Sequence, residues 1–282
     1  MIRLCFTIAA AGMVFSQATP SPGLPPATNS TAYQLVWADE FNTDGRPDPA
    51  KWDYEHGFVR NREPQWYQPE NASCKNGLLI IEARREKHKN PGYEAGSTDW
   101  RRNREYAEYT SSCLITKGKY DFRYGKVVMR AKIDVRKGMW PAFWMLGSNR
   151  GPMHWPACGE VDIMEFYRGH LLANACWEGS KEPAWDMQQW PVDKWGGETW
   201  AAAFHEWVLE WNEQQMVISV DGLELNTIDL TQTTNQKQGN NPFHENFYLL
   251  LNVALGQSGE EIPDSHLPSQ MLVDYVRVFQ KK

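Results

Sequence analysis

The stretch GEVDIMEF, residues 159–166, sets three carboxylates, Glu160, Asp162 and Glu165, among the apolar residues Val161, Ile163 and Met164. No regular element accommodates that spacing on one face. In a helix, at about 100° per residue, the three acids would point to roughly 0°, 200° and 140°, so Glu160 would face away from the others. In a regular strand Glu160 and Asp162 share a face and Glu165 lies on the opposite one. One extra residue, a β-bulge within Ile163–Met164, returns Glu165 to the shared face and leaves the apolar residues to pack behind the sheet. The stretch therefore predicts a bulged strand with acids in front and core behind.

The rest of the chain is rich in strand signals. In residues 125–135, GKVVMRAKIDV, Val127, Met129, Ala131, Ile133 and Val135 alternate with mostly polar neighbours, the pattern of a half-buried strand. HEWVLEWNE repeats it with Trp207, Leu209 and Trp211. MVISVDGLELNTI reads as two strands joined at Asp221-Gly222, a strong hairpin signal. Residues 78–84, 171–177, 247–255 and 271–279 also read as strands. The one helical possibility is short, around residues 198–204. Many strands separated by Gly, Pro and Asn turns predict an all-β sandwich or barrel in one domain.

That domain is expected over residues 33–282. Residues 1–18 have a basic residue, an apolar run and small residues up to Ala18, the layout of a cleavable secretory signal peptide. Residues 19–32 are rich in Pro, Ser and Thr and read as a flexible lead-in. The expected address is secreted or periplasmic. Once the leader is removed, Cys74, Cys113, Cys158 and Cys176 remain. They show no zinc spacing, and both disulfides and buried free thiols are open readings. The net charge of −6 argues against nucleic acid as a partner. Arg84–Lys89 and Arg101–Arg104 form a basic cluster that Glu86, Asp99 and Glu105 interrupt, read as a solvated loop. Fourteen Trp are more than packing normally requires, and exposed Trp faces stack on the apolar faces of sugar rings.

Three carboxylates on one face repel each other when all are ionised, so at least one should keep its proton near neutral pH. A protonated acid beside an ionised one is the equipment for cleaving a glycosidic bond. A calcium site would want carbonyl or Asn oxygens that the local apolar residues do not supply. A solvated acidic edge would not be interleaved with Val, Ile and Met.

The ExDxxE pattern of GEVDIMEF resembles the signature of glycoside hydrolase family 16, in its bulged subgroup with laminarinases and agarases. LVWADEF (35–41), NREPQWYQPENA (61–72), GKVVMRAKI (125–133), GMWPAFWMLG (138–147), FHEWVLEWNEQQMVISVDG (204–222) and VDYVRVFQ (273–280) are similar to family blocks, in the family's order. The resemblance implies a β-jelly roll of two curved antiparallel sheets with a concave substrate cleft. It implies Glu160 as nucleophile, Glu165 as general acid/base and Asp162 as the residue that tunes them, with retention of configuration. That mechanism needs the two glutamate carboxyls about 5–5.5 Å apart and no cofactor. It also implies Trp140, Trp155 and, ranked below them, Trp144 for sugar stacking, and Asn61 and Glu63 for hydroxyl contacts, with loop capping as their alternative. Glu40, Gly77 and Asp274 correspond to a structural calcium site that many members carry.

The chain departs from laminarinase-like members at ANACW, where Cys176 stands in place of a His, with Asn174 and Trp177 nearby to supply a polar contact. Residues 178–199, with Trp185, Trp190 and Trp195, differ from the short family connection and are candidates to roof one end of the cleft. The flanking blocks are more aromatic and amide-rich than basic, apart from Arg60, Arg62 and Arg168. A sulfate would call for more Arg and Lys. The expected substrate is a neutral β-1,3 or mixed β-1,3/1,4-glucan cleaved internally by a monomer with no membrane partner. The alternatives are a family 16 enzyme for an algal galactan (agar, porphyran or carrageenan), a non-catalytic glucan-binding relative, and transglycosylation in place of hydrolysis.

Overall fold

The computed structural model describes residues 33–256 and 261–282; residues 1–18 and 19–32, read above as signal peptide and lead-in, lie outside the described residues. Two sheets stack face to face, as expected for a jelly roll. The larger has ten strands, and its longest are Leu78–Lys89 and Ser269–Lys281. The smaller has seven, in the order Ala184–Pro191, His170–Trp177, Glu160–Tyr167, Met139–Gly147, Phe247–Leu255, Cys113–Ile115 and Asp53–Tyr54. Pairing is antiparallel except where Gln65–Tyr67 runs parallel to Tyr106–Ser111. The helical signal near residue 198 becomes the five-residue helix Gly197–Ala201. No helix among the described residues is long and apolar enough to cross a membrane.

The alternation read from the sequence decides what fills the sandwich. Val127, Met129, Ala131, Ile133 and Val135 are all buried, as are Trp207, Leu209 and Trp211. From the smaller sheet, Phe143, Met145, Val161, Ile163, Met164 and Phe166 join the same cluster. Each such side chain contributes about 1.5–3 kcal/mol on full burial. The hairpin turns at Asp221 and Gly222, with φ of 49° and 79°, a left-handed pair that Asp-Gly tolerates well. The smaller sheet thus gives its odd-numbered Met139–Gly147 side chains to the core, and turns Trp140, Ala142, Trp144 and Leu146 to a cleft.

One expectation is corrected and one open choice is decided. Arg84–Lys89 is no loop: it continues the Leu78–Lys89 strand, which pairs with Tyr106–Ser111. Its charges are met locally, Arg84 by Glu82 and Arg85 by Asp264. Between the two readings for the cysteines, the fold selects buried free thiols at Cys74, Cys113, Cys158 and Cys176.

Candidate active site

The Glu160–Tyr167 strand carries the bulge that its sequence predicts. Against Met139–Gly147, Glu160 pairs with Leu146 and Asp162 with Trp144, but Met164 pairs with Phe143 and Glu165 with Ala142. Ile163 is the extra residue. On the other side Glu160, Asp162 and Glu165 face Cys176, Asn174 and Leu172. All three acids therefore oppose even-numbered neighbours on both flanks, and all three line one cavity of about 690 Å³. The bulge converts an irregular acidic spacing into three successive rows across the sheet.

Each acid is held by one donor. The indole N–H of Trp155 donates to Glu160 Oε2 at 2.8 Å, that of Trp140 to Glu165 Oε1 at 2.6 Å, and Asn174 Nδ2 donates to Asp162 Oδ2 at 3.1 Å. Asn174 Oδ1 is buried with no partner, an acceptor left over in the cleft wall. A buried acceptor without a partner is costly.

Burial pushes all three carboxyls above their ordinary range, and their mutual repulsion pushes Glu160 and Glu165 further. Glu160 is raised to about 8 by burial and by Asp162, against the Trp155 N–H and the guanidiniums of Arg60 and Arg150. Asp162 is raised to about 7 by burial, against the Asn174 amide. Glu165 is raised well above the usual range by burial and Asp162, with Glu160 and Glu63 adding to the push and only the Trp140 N–H opposing it. The arginines thus favour negative charge on Glu160, while the carboxylates around Glu165 favour its protonated form.

Asn61 and Glu63 also reach the cleft. Glu63 is almost fully buried and accepts from Asn61 Nδ2 (3.2 Å), Gln65 Nε2 (2.7 Å) and Tyr67 Oη (3.3 Å). Asn61 and Arg62 both sit in the left-handed region, with φ of 53° and 54°. Such backbone costs about 1–3 kcal/mol per residue, which the donors around Glu63 and the Arg60–Glu55 pair offset. The pair thus lines the cleft while its side chains bond to one another and to Gln65 and Tyr67.

The other aromatic expectations divide. Trp140 and Trp155 line the cleft, Trp155 with 43% of its surface exposed. Trp144 lines it too, but its N–H is spent on Asn252 Oδ1 at 2.8 Å and its ring lies beneath the Arg60 guanidinium at 4.9 Å. Trp177 does not reach the cleft; it packs on the core beside Phe243. As residue 177 it has the opposite parity to Asn174, so the strand turns it inward. Of residues 178–199, only Trp185 among the three tryptophans faces the cleft, while Trp190 and Trp195 pack on the core.

The basic residues are corrected as well. Arg62 and Arg168 are absent from the lining, and Arg101 and Arg150 stand there with Arg60. Neither was legible, because both sit in turns, where periodicity does not say which way a side chain points. Four carboxyls, Glu63, Glu160, Asp162 and Glu165, line the cleft with these three guanidiniums.

For calcium, the register sets Gly77 and Glu40 on either side of the Asp274–Tyr275 step of the C-terminal strand. Their charges are already met: Arg277 holds Glu40 through two 2.8 Å bonds, and Arg130 pairs with Asp274. A cation would have to displace an arginine from each carboxylate, so the donor set fits the ion poorly. Among the described residues no cluster of three or more His, Cys, Asp or Glu is arranged to hold a metal.

Comparison with known proteins agrees with this geometry. Residues 66–268 match the profile of glycosyl hydrolases family 16. A β-glucanase of Rhodothermus marinus is 33% identical over 88% of this chain and 85% of its own length. A solved structure associated with endo-acting O-glycanases, by which human gut bacteria initiate mucin breakdown, superimposes with a TM-score of 0.80 at 33% identity, covering 92% of this chain and 94% of the other. SCLam, a non-specific endo-β-1,3(4)-glucanase of family 16, superimposes at 0.71 with 36% identity and the same two coverages. A variant of SCLam presents 1,3-β-D-cellobiosyl-glucose at its active site. With the bulged acidic strand, the cleft above it and these matches along most of its length, the chain belongs to glycoside hydrolase family 16, as a laminarinase/β-glucanase-like member.

Proposed function

We propose that this protein is an exported, endo-acting β-glucanase that cleaves β-1,3 or mixed β-1,3/1,4 linkages with retention of configuration. The observation that carries the reading is the single-residue bulge, which brings Glu160, Asp162 and Glu165 to one cleft face. Glu160, the acid with two guanidiniums and an indole N–H nearby, attacks the anomeric carbon. Glu165, whose carboxylate neighbours favour its protonated form, donates that proton to the departing oxygen; as a carboxylate it then takes a proton from the incoming water. Asp162 lies between them, oriented by Asn174. A neutral chain is favoured by the aromatic and amide side chains that line the cleft, Trp140, Trp155, Trp185, Asn61 and Gln189 among them, and export by the leader-like residues 1–18. Asn61, Glu63, Trp140, Trp155 and Asn174, all in the cleft lining, serve as sugar contacts.

A second reading is a mucin-type glycan, favoured by one observation: the O-glycanase structure superimposes more closely than SCLam at equal coverage. A polysaccharide panel with linkage analysis separates the two. Laminarin or mixed-linkage glucan should be cut to oligosaccharides, and Glu160→Gln should abolish turnover while binding persists. Intact glucans alongside degraded mucin glycans, agarose or carrageenan would overturn the glucanase reading. An unchanged rate in Glu160→Gln would remove the nucleophile assignment.

A further inference from the structure

We propose that Trp185, Met187 and Gln189 form a distal sugar-binding subsite that takes a β-linked pyranose beyond those contacted by the three acids. The inference rests on the reading above, that a glycan chain lies in this cleft, and adds where a remote unit of it binds. The three rows of the sheet continue past the acids. Glu160 leads through Cys176 to Trp185, Asp162 through Asn174 to Met187, and Glu165 through Leu172 to Gln189. Two strand spacings, about 9.5 Å, separate the acids from this stripe, about the span of a disaccharide.

The Ala184–Pro191 strand is built to present these side chains. Its even-numbered residues anchor it: Asn226 of the other sheet donates to Asp186 Oδ1 at 3.0 Å, and Trp190 Nε1 donates to the Leu225 carbonyl at 3.2 Å. The odd-numbered residues therefore turn to the cleft, and all three line it. Trp185 and Met187 are 38% and 51% exposed, unusual for large apolar side chains. With Trp155, whose ring centroid lies 6.4 Å from that of Trp185, they make a contiguous apolar strip on a fold that otherwise exposes few such residues together.

A sugar fits that strip better than another apolar partner. The strip continues directly from the active-site cavity, and it ends in the uncharged amide of Gln189. The spare Asn174 acceptor lies between it and the acids. A flat ring face suits the C–H face of a pyranose, a thioether adapts to its edge, and an amide pairs with hydroxyls.

The test uses the full protein carrying Glu160→Gln, with binding measured by calorimetry for tri- and pentasaccharides of the laminarin and mixed-linkage series and of mucin origin. The pentasaccharide should bind more tightly than the trisaccharide. Adding Trp185→Ala should remove about tenfold of that gain and leave the trisaccharide unchanged, the size expected for one buried aromatic anchor. Trp185→Phe should restore most of it, and Met187→Ala should give a smaller loss. An equal affinity for the pentasaccharide with and without Trp185, or an equal loss on both lengths, overturns the subsite. So does a dimer that Trp185→Ala turns into a monomer, which would assign this edge strand to self-association. If only mucin oligosaccharides bind, the glucanase reading falls while the length increment in that series still decides the subsite. Failure of every series to bind removes both.

Discussion

Trp140 reaches from the neighbouring strand to place its indole N–H 2.6 Å from Glu165 Oε1. That bond is the one contact that opposes the upward pressure of burial and neighbouring carboxylates on this acid. In Trp140→Phe the proton should be held still more tightly, so the alkaline limb of the pH–kcat/KM profile, where Glu165 must stay protonated, should move to higher pH. The freed carboxyl should also lose orientation, with a fall of roughly 10–100-fold at the optimum. A profile with an unmoved alkaline limb would contradict the general-acid role.

Trp155 acts in the same way on the other partner, but with the opposite kinetic sign. Its N–H helps Arg60 and Arg150 favour the ionised form of Glu160. Trp155→Phe should raise the Glu160 pKa and shift the acidic limb upward, so activity lost at low pH returns as pH rises. Equal loss at every pH would mean that Trp155 serves only as a sugar platform.

The acids should also leave a mark on stability. Glu160 and Asp162 are raised to about 8 and about 7, far above the value of about 4 expected in the unfolded chain. Their contribution to stability is full below about pH 4 and is lost as pH climbs through 7 and 8. The melting temperature should therefore fall between pH 5 and pH 9. Asp162→Asn should flatten that slope and melt roughly 2–4 °C higher than the parent at pH 9, while activity drops. A steeper slope in the variant would show that Asp162 is not the strained group.

Arginine appears in the role that an ion would take beside Glu40 and Asp274. Calcium and chelator should accordingly leave the melting temperature unchanged, and Arg277→Met should lower it. A rise of several degrees with calcium would mean that the arginines give way and that the ion binds after all.

Sequence patterning disclosed the sheets and the bulge because both depend on local periodicity. Ile163 breaks the alternation within a single strand, so its effect on Glu165 could be worked out from the spacing alone. Arg101 and Arg150 could not be found that way, since both sit in turns, where no periodicity says which way a side chain points. Trp177 and Trp185 show the limit more sharply. Both are tryptophans near the motif, and only the parity of each strand, fixed by register, sends one to the core and the other to the cleft. Trp144 adds a third lesson: an aromatic in the right place can still be covered, here by Arg60.

The four buried thiols have a practical consequence. A fold with free Cys74, Cys113, Cys158 and Cys176 needs no oxidant to form, so the chain should mature equally well in a reducing cytoplasm. Because Cys158 precedes Glu160 by two residues and Cys176 is its cross-strand partner, alkylation at these two positions times the local breathing of the catalytic strand itself. The protein carries its own labels for opening at the nucleophile, with Cys74 in the other sheet as an internal control for opening elsewhere.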